Sequence, residues 1–521
     1  MERTTNSTQK ITNGFINSVV EFAENVMEHC RDRYGSNETP LLVDGIHLKT
    51  GEPKKWEEHV LSNLACQQNF LRTLDGLAML TGESKYHDQA RSWISYALDV
   101  LQDSESGMLY WGGHTSYCLL EDKPLLGNHE LKCVYPYYPF LFKTDSKATA
   151  LLIQGTWNKH VKDWSNLLFN RHGEYSGWPK ATPWDHEYSG GALPIIDNSM
   201  LSFINTGSDL VYSAALLANM SGDNKPLLWA TRLAQRYDEI RNETTGLGGY
   251  QFNHREPCRV RISFKKPMSE RPDVNETTVI TNGVINTRYG RVAVTWLNLF
   301  ERLGAADGQV FLDITSKDLT AIGEHAYDFS DHSFTTILSD GTKLSPSNCM
   351  EGIGYCSPKK LEKVQANGLM FLAYAKAYRV TKNRFFWQMA RSLAQGIGLK
   401  RIFDATDEQS AVLESSRLFL RHTECSAVGQ NGVCALLGIL ELYKATEQKE
   451  YLALAADFGD QLLQKFSTVL TTGYTSIDNS LPLALLHTAA AIQGKSVHLP
   501  TFYPNSTSFD PKVVIARRKR A

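Results

Sequence analysis

Two histidines, a glutamate and an arginine between Trp111 and Tyr175 carry the side chains for one particular chemistry. Trp111-Gly112-Gly113-His114 opens this stretch, Asn128-His129-Glu130-Leu131-Lys132 lies in its middle, and Asn170-Arg171-His172-Gly173 closes it. Neutral imidazole nitrogens with one carboxylate oxygen suit Mn²⁺, Zn²⁺, Fe²⁺ or Ni²⁺, whereas Ca²⁺ takes more oxygen ligands. Such a cation beside an arginine suits removal of a proton from the carbon next to a uronic acid carboxylate. The donors form no local motif of the H-E-x-x-H kind, and His129 competes with His114 for a ligand role. The two glycines before His114 let the backbone bend and bring the imidazole into a pocket. Arg171 has two readings. It can clamp a substrate carboxylate. It can also act as a base, but guanidinium stays protonated in ordinary sites, so that role needs a nearby cation and a desolvated pocket. Arg171 and His172 are neighbours and can share a site only beyond a helix end, which Gly173 marks; the preceding helix is expected over residues 148–168.

Other stretches offer different chemistry. Trp184-Asp185-His186-Glu187-Tyr188 holds paired acids, as a glycoside hydrolase requires, although such acids also stabilise loops. Within 282–291, Arg288 and Arg291 could bind carboxylates, and Tyr289 could serve as acid or base. Trp111, Trp178 and Trp184 could stack on sugar faces or simply pack.

A scaffold must bring these dispersed residues together. Helical periodicity covers 12–33, where Phe15, Val19, Phe22, Val26 and Met27 share a side, and returns from Trp56 to Leu80. A short polar turn between helices then recurs at 80–86, 220–225, 380–385 and 445–451, with a looser version at 303–308. Gly or a polar residue stops one helix and Ser, Thr, Asp or Glu favours the next start. Short turns make the flanking helices antiparallel neighbours. Repeated over most of the chain, they predict a toroid of helical hairpins in an all-α fold, with long loops and short strands at the site end. Residues 1–521 read as a single (α/α) barrel domain, with a disordered basic tail at about 512–521. The run Arg259–Phe264 alternates as a strand would.

The net charge of −2 and pI of about 6.7 exclude a global basic surface for nucleic acid, so an anionic substrate must be drawn by local charge or metal. No apolar run reaches the ~20 residues that span a bilayer. The nine cysteines are scattered and odd in number, and the first thirty residues lack a basic segment followed by an apolar run. Both features lead to the expectation of a cytoplasmic, reduced chain.

Taken jointly, Trp111-Gly-Gly-His114, His129-Glu130-Leu-Lys132 before an aromatic–proline run, and Trp157-Asn158-Lys159-His160 leading to Asn170-Arg171-His172-Gly173 resemble the family 2 polysaccharide lyases. Leu41–Trp56, Phe203–Asp209 and Gly246–Gln251 extend the resemblance, which covers at least residues 40–300. It implies an (α/α)7 barrel and a pectate lyase, many members being cytoplasmic and exolytic. It implies Arg171 as the base, His114, Glu130 and His172 as metal ligands, and a divalent ion, usually manganese. The implied reaction is β-elimination on an acidic oligogalacturonate, with no nucleic-acid or membrane partner. The alternatives are a lyase for another uronate polymer, an unsaturated uronyl hydrolase using Asp185, Glu187 or Asp209, a sugar epimerase, and a non-catalytic carbohydrate-binding toroid.

Overall fold

Inner and outer helices differ in how much of their circumference is buried. In the helix α3 (Ser84–Val100) the buried residues are Tyr86, Ala90, Trp93, Ile94, Ala97 and Leu98, a single stripe at helical spacing. Along α10 (Gly368–Thr381) every residue from Gly368 to Tyr378 is buried, so this helix has neighbours on all sides. The computed structural model describes residues 2–47, 50–56, 58–176, 182–193, 200–253, 271, 274–349, 358–399, 425–469 and 474–505. Trp178, the strand expected at 259–264 and the basic tail lie outside the described residues.

The remaining helices are α1 (Glu2–His29), α2 (Gln68–Thr81), α4 (Tyr138–Thr144), α5 (Ser146–His160), α6 (Ile204–Ser221), α7 (Lys225–Glu239), α8 (Asn282–Val284), α9 (Ala293–His325), α11 (Arg384–Gly396), α12 (Cys425–Thr446), α13 (Lys449–Val469) and α14 (Leu481–Gln493). A π-helical run, Ile285–Val292, joins α8 to α9. Packing arranges them in two rings. The inner ring runs α2, α4, α6, the π-helical run with the first half of α9, α10, α12 and α14, and α14 packs back on α2. Between α2 and α4 the link is polar: Arg72 Nη2 donates to Tyr135 O at 2.6 Å and Tyr137 N donates to Gln68 Oε1 at 2.7 Å. The outer ring is α3, α5, α7, the second half of α9, α11, α13 and α1. Among the described residues these make seven hairpins, an (α/α)7 toroid.

The polar turns lie where the spacing predicts. Gly82 and Gly222 end α2 and α6 in the left-handed region, at φ 79° and 78°, and Asn383 caps α11 by accepting from Phe385 N at 2.9 Å. The looser turn is a kink inside α9: Gly304, at φ 75° and ψ 178°, sends the second half back outside, where Lys317 Nζ reaches Asp238 Oδ2 of α7 at 2.9 Å. The seventh hairpin joins the chain ends, because α1 packs against α14. One core cluster runs from Phe15 in α1 to Tyr503 beyond α14.

Two expectations need correction. The segment from Trp56 is not one helix. It forms the strands β2 (Lys55–Trp56) and β3 (His59–Ser62), after β1 (Gly45–His47), before α2 begins at Gln68. The strands β4 (Ser116–Cys118) and β5 (Lys123–Leu125) extend this sheet in the order β2-β3-β4-β5. The helix before Arg171 stops at His160, not near 168. Val161–Asp163 and Leu168–Phe169 pair as a small hairpin, with Asp163 accepting from Ser165 N and Oγ in its turn.

Helix α5 packs closely on the loop before it. A Cβ on Gly155 would collide with the backbone carbonyl of Ser106, whereas one on the exposed Gly14 of α1 would meet nothing within 4 Å. Gly155→Ala is therefore expected to destabilise the protein by about 1–3 kcal/mol. Gly14→Ala should stabilise it by up to about 1 kcal/mol. Urea unfolding midpoints check both signs.

Candidate metal and catalytic site

The inner helices point their N-termini at one end of the toroid, and the segments leading into them cross that end side by side. Gly113 N donates to Glu130 O, and His129 and Gly173 exchange two backbone bonds, each at 2.8 Å. The Asn63 amide brackets Gly112, donating to its carbonyl at 2.9 Å and accepting from its N–H at 3.0 Å. Arg171 N donates to Leu201 O at 3.0 Å, just before α6. Gly112 lies at φ +101° with a substituent's place filled by the Glu130 carbonyl, so the bend before His114 requires glycine there.

These crossings bring four cationic or imidazole groups onto one carboxylate. Glu130 has no solvent exposure. His114 Nε2 is 3.0 Å and Lys132 Nζ 2.9 Å from its Oε2, while Arg171 Nε is 3.4 Å and His172 Nε2 3.8 Å from its Oε1. Burial alone would raise the Glu130 pKa. The His114 contact and the charges of Lys132 and Arg171 outweigh it and hold the carboxyl down at about 2. The Arg171 guanidinium also lies over the Phe203 ring, 5.4 Å from its centroid. Lys132, Arg171 and His172 keep 33%, 20% and 19% side-chain exposure, so the cluster opens on one side with Glu130 as its floor.

One donor atom from each of His114, Glu130 and His172 lies within 4.8 Å of the others. An ion with bonds of about 2.1 Å spaces its ligand atoms roughly 3–4 Å apart, so this set needs little contraction to share one. His114 Nδ1 is buried with no hydrogen-bond partner, and both Glu130 oxygens face the cluster and not solvent. The donor set therefore fits a divalent cation.

His129 plays a different part. Trp111 Nε1 donates to His129 Nε2 at 2.9 Å, so His129 carries its proton on Nδ1 and donates to His160 Nε2 at 2.7 Å. His160 in turn donates from Nδ1 to the Asn170 carbonyl at 2.9 Å. The N–H at one end and the carbonyl at the other set both tautomers. Burial drives the His129 pKa well down and that of His160 to about 4, so both rings stay neutral. With both nitrogens engaged, His129 is unsuited to bind metal, and the geometry favours His114. His160 and Lys132 stand in the joined motifs without a role; His160 meets His129 31 positions away, and the part played by Lys132 becomes apparent only once Glu130 is buried.

Several expected substrate contacts are structural. Trp111 is fully buried and spends its N–H on His129. Arg288 is fully buried, paired with Asp318 at 3.0 Å and bonded to the Gly249 and Tyr237 carbonyls. Tyr289 is buried with its hydroxyl on Gly248 O at 2.8 Å. None of the three can reach substrate here. Arg291 is half-buried and donates to Gln430 Oε1 at 3.3 Å. Trp184 packs in a cluster with Trp157. A cavity of about 850 Å³ lies at the opposite end, among the C-terminal ends of inner helices, where Lys376 and Arg379 pair with Glu301 and Glu441.

Fold and site together define a helical toroid with a buried carboxylate, two imidazoles and an arginine at the N-termini of its inner helices. Residues 39–512 match the sequence model of the family described as periplasmic pectate lyase, and the chain belongs to that family. It is 36% identical over 234 residues to the pectate disaccharide-lyase of Dickeya dadantii (strain 3937), an alignment covering 42% of this chain and 43% of that protein, less than half the relative's length. Solved structures overlap it loosely. A D-mannose isomerase is 13% identical, with 76% of this chain and 88% of that one covered at a TM-score of 0.44. A family 76 glycoside hydrolase from a bovine Bacteroides thetaiotaomicron strain is 12% identical, with 92% and 78% covered at 0.44. The family description overturns the cytoplasmic expectation. Scattered thiols do not mark a reducing compartment here: burial pushes those of Cys30, Cys133 and Cys434 up to about 12, which keeps these three unreactive under oxidising conditions as well.

The neutral His160 makes stability depend on pH. Its folded pKa of about 4 lies below the unfolded 6.5, so its contribution is complete above pH 6.5 and is lost as pH falls towards 4. The expected loss between pH 7 and pH 5 is about 2 kcal/mol. Unfolding titrations at the two pH values should show a smaller difference in His160→Gln than in wild type. The Glu130 contribution, by contrast, is present above pH 4.5 and lost only as pH falls towards about 2.

Proposed function

We propose that the protein cleaves pectate or oligogalacturonate by metal-assisted β-elimination, releasing 4,5-unsaturated products exolytically from short chains. The observation that carries this reading is the convergence of His114, Glu130 and His172 beside Arg171, in a chain of the periplasmic pectate lyase family. The relative's name, a disaccharide-lyase, supports removal of a disaccharide from a chain end.

His114, Glu130 and His172 would hold a divalent ion, manganese or another of similar preference. The bound ion would withdraw charge from a galacturonate carboxylate and take up the Glu130 charge that otherwise supports the Arg171 guanidinium. Arg171, in its neutral form, removes the proton from C5 of the sugar. The C4–O bond then breaks, its electron pair goes to the leaving oligosaccharide's oxygen, which takes a proton from solvent, and a C4–C5 double bond remains. Phe203 beneath the guanidinium and the Arg171 N–H bond to Leu201 O fix the direction from which the base approaches. Lys132 at the mouth of the cluster, and Arg291, supply positive charge for further carboxylates of an anionic polymer.

The unsaturated product absorbs in the ultraviolet, so activity is followed directly on polygalacturonate. Chelator should abolish the absorbance and added Mn²⁺ restore it. Glu130→Gln should lose the metal-dependent rate, and Arg171→Ala should lower kcat by about 10²–10⁴-fold. No absorbance from any uronate polymer with Mn²⁺ supplied sinks the lyase reading. Undiminished activity in Arg171→Ala refutes the base assignment while leaving the metal site standing.

A further inference from the structure

A second set of metal donors lies in the four-stranded sheet. Strand pairing explains how it assembles. Leu61 of β3 lies opposite Cys118 of β4, so His59, two residues earlier on β3, shares a face with Cys118. Trp56, opposite His59, and Lys123, opposite Cys118, lie on that face too. The turn after β4 brings Glu121 back over it. His59 Nδ1 is 3.1 Å from Glu121 Oε1 and 3.6 Å from Cys118 Sγ, and the sulfur is 3.9 Å from the same oxygen.

We propose that His59, Cys118 and Glu121 form a second metal site that takes a borderline-soft divalent ion of the zinc class. A tetrahedral ion with N and O ligands at about 2.0 Å and sulfur at about 2.3 Å separates nitrogen from oxygen by roughly 3.3 Å and sulfur from either by roughly 3.5 Å. The three distances in the protein match that triangle to within about 0.4 Å, the sulfur–oxygen separation being the one that must close most. His59 and Cys118 are buried at 7% and 0% exposure, while the Glu121 side chain keeps 31% and leaves a side open for a water as fourth ligand. Lys123 Nζ pairs with the other Glu121 oxygen, Oε2, at 2.6 Å, which steadies the carboxylate with Oε1 towards the sulfur and imidazole. The donors differ from those around Glu130: one sulfur replaces a second imidazole. Thiolate selects softer ions, so the two sites sort metals by chemistry. On binding, the Cys118 S–H bond breaks, the sulfur bonds the ion, and the proton leaves to solvent. The ion then ties β3 to the turn beyond β4, and β4 begins two residues after His114.

Cobalt(II) added to the metal-free full-length protein separates this site from the other one. A sulfur ligand gives an intense near-ultraviolet charge-transfer band, which the His114, Glu130 and His172 set lacks the sulfur to produce. The band is expected in wild type and in Glu130→Gln, absent from Cys118→Ser, and shifted to at least tenfold higher cobalt in the surface variant Glu121→Gln. Zinc content should fall by one ion per chain in Cys118→Ser, with circular dichroism reporting the fold. Absence of the band in folded wild type, or its persistence at full strength in Cys118→Ser, would overturn the proposal and leave His59 and Glu121 as a plain ion pair. Neither result touches the lyase reading.

Discussion

A carboxylate with no contact with water sets the requirements for this end of the molecule. Removing an ionised group from solvent costs several kcal/mol unless nearby charges and hydrogen bonds compensate. Glu130 receives that compensation from residues 114, 132, 171 and 172, which sit on three separate chain segments. Those segments must run side by side, and the bonds between Gly113 and Glu130 and between His129 and Gly173 align them. The neutral Trp111–His129–His160–Asn170 chain lies alongside them. It adds no charge to a place already crowded with cations, and its tautomers are fixed at both ends. A cationic imidazole at His129 would sit next in sequence to the carboxylate and contend with Lys132 and Arg171 for the same negative charge.

Much of the toroid was legible because its information is local. Polar turns at 80–86, 220–225, 380–385 and 445–451 stop and start helices by capping chemistry that any sequence displays. The stripe on α3 repeats at helical spacing, and the continuous burial on α10 follows from a run with few polar interruptions. Lengths of elements were harder. The end of α5 at His160 depends on Val161 entering a two-stranded hairpin, which is a tertiary preference and not a stop signal. Residues 56–62 read as helical from apolar spacing alone, yet β3 and β4 pair across more than fifty positions.

The site was legible in its residue types and not in its partners. His114, Glu130, Arg171 and His172 stood out because metals and carboxylates demand such groups, and the joined motifs chose among them. Fold-buried positions misled in the other direction. Arg288 and Tyr289 looked available for substrate because they are polar, but Asp318 and the carbonyls of Gly248 and Gly249 take them up inside the inner ring. A sequence lists donors without saying which acceptors will be close, and for buried arginines that missing half decides the role.

The pairing of α1 with α14 makes the protein's assembly depend on the order of synthesis. The first helix emerges with Phe15, Val19 and Ala23 as its inward face, and its main partner is some 450 residues behind it, a delay of roughly 20–90 s at translation rates of ~5–20 residues per second. The arc carrying Glu130 can fold long before the circle is complete. Until α14 arrives, the apolar edges of α1 and α2 are an open seam, and the last hairpin acts as the clasp of the ring.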